Sequence, residues 1–502
     1  MENIFQDETK IKFYAQVQKN LCLLEPDATD EKINEIISQI PQEYLTEKEN
    51  LKIICQLFAI YARNKYKSKK SNAIRLFEQI MNYLKSYLQG ESSFFWNILG
   101  GLFNFKLWMY RENLISIDHI NLVIKRNNSP LTAEYFLPEI IEKEPEIFDK
   151  EIKHAISIPY SNESIEKFKQ IREKHFKWIR YHHGDYNDPL YKEIETNQLR
   201  LSIKLDDVET FQRILSNTNL SLNSKIQENI HDNFLCNPYE MPLIVYIFAY
   251  NPINIIKFLI MKDIKIPVDA VYHSISNNSL EIIHLLESKI GSEYESDSLR
   301  SSVVSWNYEM TEYVLNNHET YEFLQKDEMS DEEIKTFMLI INETFCYSNF
   351  IFFDSVLLPI LRNKKKFVNE NIYKIINYTF CDMCCFFTKE FFKYPNLDVN
   401  YVNKDFDRSI LGQAIHLDNF NAVEFLLSMP KININGPCFG SYPASLVVCS
   451  IFSDLKILKL LISCKEFEAF YESEVSVFLI AGTRGNFYAI DFITIFTDIN
   501  ES

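Results

Sequence analysis

The chain has 502 residues, more than one hydrophobic core usually organises, so several domains or an elongated repeat array is expected. Apolar residues make up 46% and charged residues 24%, a globular composition that excludes a disordered chain. A net charge of -17 repels phosphate backbones and argues against nucleic-acid binding, and only ten glycines argue against phosphate-cradling loops.

The opening, MENIFQDETK, carries acidic residues where a secretory leader is basic. No run reaches 18 apolar residues, because the most apolar stretch, SFFWNILGGLFNFKLWMY, is broken by Asn97, Asn104 and Lys106. A cytoplasmic chain with reduced cysteines and no membrane insertion is expected. The basic clusters RNKYKSKK (63–70) and RNKKK (362–366) also fit a nuclear address, although such short runs are more often solvated faces.

In DATDEKINEIISQI, Ile33, Ile36, Ile37 and Ile40 share one helical face, and Thr46 with Glu49 has the spacing of a capping box ahead of LKIICQLFAIYARNKY. SNAIRLFEQIMNYLKSYLQG puts Ile74, Phe77, Met81, Leu84 and Leu88 on one stripe and stops at Gly90. Another helix is expected from Asn162, with Ile165, Phe168, Ile171, Phe176 and Ile179 turned inward. Residues 1–190 therefore read as an irregular α-helical region, a cap or degenerate solenoid that shields the first units of the C-terminal part of the chain.

From about residue 196 to 498 one pattern recurs. Taking Phe420 as an anchor, matching positions fall at Val208, Ile253, Leu280, Tyr308, Phe350, Cys385, Leu455 and Phe487, with gaps of 45, 27, 28, 42, 35, 35, 35 and 32 residues. A near-constant period of this size points to a stack of supersecondary units. Nine residues before each anchor stands an apolar residue: Leu199, Ile244, Val271, Leu299, Ile341, Ile376, Leu411, Leu446 and Phe478. Six residues after it the same holds, from Ile214 through Leu426 and Leu461 to Ile493. Burial of one such side chain contributes roughly 1.5–3 kcal/mol, so the two columns supply much of the folding drive. Six before the anchor, eight of nine residues are small: Ser202, Ser274, Ser302, Thr344, Thr379, Ala414, Cys449 and Ala481, with Ile247 the exception. A column kept small marks a close helix crossing, where a large side chain would overpack.

Within a unit the pattern gives a helix at about 410–416, a polar turn at Asp418 and Asn419, and a second helix at about 422–428. Gly485 and Asn486 fill the same turn slot in the last unit. MPKININ and YPNLDVN, thirty-five residues apart, are Pro-led extended connectors. SILGQAI, the Asp418-Asn419 turn and FNAVEFLL resemble in order the opening, turn and second helix of the ankyrin repeat, and DVNYVNKDFDR resembles its connector and hairpin tip. The resemblance covers about Leu199 to Phe496; the Thr-Pro pair is mostly missing, although Pro242 and Pro443 keep fragments of it. The two units only 27 residues apart are expected to have truncated hairpin loops. What the resemblance implies is an all-α, ankyrin-like helical solenoid of about nine divergent units. It implies a non-enzymatic scaffold that grips another protein on hairpin tips and the exposed side of first helices. Carried onto this chain, the candidate residues are Asp405, Phe406, Asp407 and Arg408 at one tip, Ser441 and Tyr442 at the next, and Gln413 and His416 on a first helix.

The alternative is an enzyme or an enzyme's regulatory subunit, with its site in the N-terminal region or a metal at CDMCC (Cys381, Cys384, Cys385). Zinc needs four ligands and no second CxxC exists, so core packing is the stronger reading of those thiols. YHHGDYND (His182, His183, Asp185, Asp188) lacks the spacing of a ligand or catalytic set and reads as a polar hinge. No cofactor is expected. The last unit, NFYAIDFITIF, has more apolar surface than one helix face needs, which fits self-association or a partner contact through the C-terminal repeat.

Overall fold

The computed structural model describes residues 8–24, 30–67, 82, 103–127, 130–143, 145–147, 162–181, 186–226, 241–262, 264–276, 280–290, 295–317, 319–326, 328–380, 385–394, 396–403, 407–417, 419–439, 442–443 and 456–464. Among these the chain is all-α, with strands only as two-to-three-residue hairpin arms. It divides into two compact units. The larger comprises Lys12–Ile120 and Pro130–Ser355, the smaller Met1–Ile11, Asn121–Ser129 and Val356–Ser502.

Among the described residues the N-terminal helices of five residues or more are α1 (Glu8–Cys22), α2 (Asp30–Ser38), α3 (Gln42–Thr46), α4 (Lys48–Lys67), α5 (Phe103–Arg111), α6 (Ile117–Asn127), α7 (Pro130–Tyr135), α8 (Leu137–Lys143), α9 (Asn162–Tyr181) and α10 (Pro189–Ile194). Ile36, Ile37 and Ile40 are buried as their helical spacing requires. The capping box expected at Thr46 does not form. Its hydroxyl donates back to the carbonyls of Gln42 and Glu43 and closes α3, and α4 starts two residues later at Lys48. The inward face of α9 also differs from the expected stripe. Ile165, Phe168 and Ile171 are only half-buried, whereas Arg172, His175, Phe176 and Trp178 are buried. The cause is polar: the fully buried Arg172 guanidinium donates to both Glu139 carboxylate oxygens, at 2.8 and 2.6 Å, and to the Tyr135 carbonyl at 2.6 Å. A paired, planar guanidinium is tolerated inside where an isolated charge is not. The helix expected to end at Gly90 lies outside the described residues.

From residue 198 the larger unit becomes regular. First helices α11 (Gln198–Leu205), α13 (Leu243–Tyr250), α15 (Val268–Ser276), α17 (Glu295–Ser305) and α19 (Asp331–Cys346) pack side by side in that order. Second helices α12 (Val208–Asn217), α14 (Ile253–Met261) and α16 (Leu280–Ile290) do the same, and α18 (Tyr308–Asn317) packs on α17. The short helix α20 (Phe350–Phe352) follows α19 and runs into a π-helical turn, Phe353–Leu357. A hairpin of β1 (Lys225–Ile226) and β2 (Met241–Pro242) leads into α13, whose first amides, Leu243 N and Ile244 N, donate to the carbonyls of Ser224 and Leu222. Those carbonyls stand in for the cap that Pro242 lacks. Between α14 and α15, where the units lie 27 residues apart, no strand occurs among the described residues.

The smaller unit holds α21 (Leu358–Asn363), α22 (Lys365–Thr379), α23 (Phe386–Phe391), α24 (Ile410–His416), α25 (Phe420–Leu427) and α26 (Lys456–Ile462). Helix α24 packs on α22, and α26 on α25. Strands β3 (Val402–Asn403), β4 (Arg408–Ser409), β5 (Pro437–Phe439) and β6 (Tyr442–Pro443) form one antiparallel sheet in that order, so two successive hairpins share hydrogen bonds through β4 and β5.

The repeat columns have clear positions. Leu199, Ile244, Val271, Leu299, Ile341, Ile376 and Leu411 are all buried. Every residue of the small column that is described is buried too, including Ile247. Within a unit that column meets the residue three after the anchor: Thr311 Oγ1 donates to Ser302 Oγ at 3.0 Å, and Thr379 and Thr388 share a hydroxyl bond of 2.9 Å. Most anchors are the first residues of second helices rather than core positions; Tyr308 is 42% exposed. Cys385 departs from this by serving as N-cap in the left-handed region, φ 60°, fully buried. Cys381 and Cys384 lie outside the described residues, as does the final unit around Phe487.

Candidate functional site

Two surfaces of the repeat carry polar groups in a fixed pattern: the turn between paired helices, and the hairpin with the first helix it enters. The turn is built identically in several units. Two residues before the anchor the backbone is left-handed, at Asp206 (φ 57°), Asn251 (54°), Trp306 (59°) and Ser348 (47°). One residue before the anchor stands a cap: Asp207 accepts from Thr210 N, Asn307 from Met310 N, Asn349 from Phe352 N and Asn419 from Ala422 N, all within 2.9–3.1 Å. An asparagine, unlike an aspartate, has a donor left over. In each case it reaches the preceding unit. Asn307 Nδ2 donates to the Ile275 carbonyl (3.1 Å), Asn349 Nδ2 to Val303 (2.9 Å) and Asn419 Nδ2 to Phe380 (2.8 Å), every acceptor standing five residues before its own anchor.

Where Pro252 replaces the cap, the rung is inverted. The Asp206 carboxylate of the unit before accepts from Asn254 N, Asn254 Nδ2 and Ile255 N, each at 3.0 Å, and caps α14 from outside. Helix α1 adds to the same edge: Ile351 N donates to Gln18 Oε1 at 2.9 Å, Gln56 Nε2 of α4 donates to Ser348 Oγ, and the Tyr14 and Phe350 rings lie 5.0 Å apart. The three asparagines are buried with both ends of the amide bonded, so their work is holding units in register.

The hairpin side is more open. Asp407, exposed and in the left-handed region at φ 50°, ends the β3–β4 turn. Arg408 pairs across both neighbours, with Asn403 of β3 and Phe439 of β5. Its Nη1 donates to Gln413 Oε1 at 3.1 Å, one turn into α24. His416, a further turn along, is exposed at the surface; partial desolvation of its ring first, and then the Arg408 charge, hold its imidazole below the ordinary 6.5. At neutral pH it is an uncharged donor and acceptor.

Beneath this face Gly412 lets β5 approach α24. A Cβ there would lie 1.9 Å from the Cys438 carbonyl oxygen and 2.9 Å from Cys438 Sγ. Burial pushes the Cys438 thiol up to about 12, against the opposing pull of Ser409 and Arg408. It is protonated and packs as a small apolar group.

The structure thus brings Arg408, Gln413 and His416 together, places Asp407 at their edge, and carries the Tyr442 backbone on β6 opposite Phe439. Asp405, Phe406 and Ser441 lie outside the described residues, and so do His182, His183 and Asp185; Asp188 caps α10 by accepting from Leu190 N. Among the described residues no three His, Cys, Asp or Glu side chains gather as metal ligands, and no helix is long and apolar enough to cross a membrane. Gly412, Cys438 and the asparagine rungs were not evident from the sequence. Only the rungs had a signal there, an Asp or Asn before most anchors. Comparison with protein-family models, curated proteins and solved structures returns no match for this chain.

Proposed function

We propose that this chain is a non-enzymatic scaffold of ankyrin-like helix pairs that binds another protein on its hairpin tips and first-helix face. The single supporting observation is the junction at β4. Successive hairpins merge into one sheet there, and Arg408 ties that sheet to Gln413 on the open side of α24. A partner laid across such a surface meets residues from two units at once, so binding energy accumulates along the row. Arg408 is the candidate anchor, since guanidinium groups recur among residues that dominate interface energetics. Helix α13 offers no such face: Leu243, Ile244, Val245, Tyr246, Ile247, Phe248 and Tyr250 are all buried. The binding surface therefore belongs to the units around α24 rather than to those around α13.

Affinity capture with full-length wild type and with Arg408→Glu/His416→Glu, compared by quantitative mass spectrometry, tests the assignment. A partner retained by the wild type and lost from a folded double variant is the expected result. An unchanged captured set removes the hairpin face from consideration.

A further inference from the structure

We draw no further inference here: the strongest candidate, the side-chain cluster of Arg408, Gln413 and His416 at the base of the β3–β4 hairpin, belongs to the surface already described, and nothing in the structure shows what covers it.

Discussion

Replacing Asn349 with alanine removes three bonds at one buried point, the weakest of them the long 3.5 Å bond that Gln18 Nε2 donates to its Oδ1. Its Oδ1 no longer caps α20 through Phe352 N, a loss of about 0.5–2 kcal/mol. Its Nδ2 no longer reaches the buried Val303 carbonyl, and a buried acceptor stripped of its donor costs about 1–3 kcal/mol. The Val303 oxygen keeps a long 3.4 Å bond from Trp306 N, so the lower part of that range applies and the sum is about 1.5–4 kcal/mol. Asp207→Ala is the matched control: a cap without an amide donor, expected to cost only about 1 kcal/mol. A chain of this size has no single unfolding free energy, so amide hydrogen exchange read segment by segment is the right assay. Exchange around Val303 and Phe352 should accelerate about tenfold or more in Asn349→Ala, beyond the change near Thr210 in Asp207→Ala. Asn349→Asp should behave nearly as badly as the alanine, because it keeps the cap and loses the donor. Equal protection in wild type and Asn349→Ala would refute the rung, as would full rescue by aspartate.

Gly412→Ala should overpack against the Cys438 backbone at a cost of about 1–3 kcal/mol or more and speed amide exchange in α24 and β5; wild-type protection there would show that β5 does not approach α24 so closely. Arg172→Ala should cost the segments around α8 and α9 up to about 3 kcal/mol in amide-exchange protection by leaving the partly buried Glu139 unpaired, while Arg172→Leu/Glu139→Leu should cost much less; a double-mutant cycle of those protection values with no coupling would deny the pair its role. His416 is held below its ordinary 6.5, so the unfolded chain binds the proton more readily than the folded one. Its share of stability should be full above pH 6.5 and lost as pH falls toward its lower folded value; His416→Gln should flatten that slope in the exchange protection of α24 between pH 7 and 5, corrected for intrinsic rates, and an unchanged slope would contradict the assignment.

How much of this could be read from the sequence depended on whether the signal was local. The −9 and small columns could be read because period and residue type coincide at Leu299 and Ser302, or Ile376 and Thr379, and all these side chains are buried. Helix α24 runs from Ile410 to His416, where the pattern placed it, because Ser409 accepts from Gly412 N and starts it cleanly. The rungs were hidden in plain composition, since an asparagine before a helix reads as a turn residue and only a second unit reveals what its amide touches. In the N-terminal region single helices could be read, such as the one from Asn162 to Tyr181, but not their packing. Gln18 meets Ile351 across 333 residues of sequence, and no periodicity encodes that contact. Thr46 misled for the opposite reason: its spacing to Glu49 was right, but the preceding residues were already helical and claimed its hydroxyl.

The hairpin face is tested most directly by hydrogen exchange on the full-length chain with and without its captured partner. Slowed exchange at residues 407–416 and 442–443 on binding, with α9 and α10 unchanged, is the expected outcome. Protection confined to residues 162–194, with 407–416 exchanging as in the free chain, would place the partner elsewhere and contradict the account.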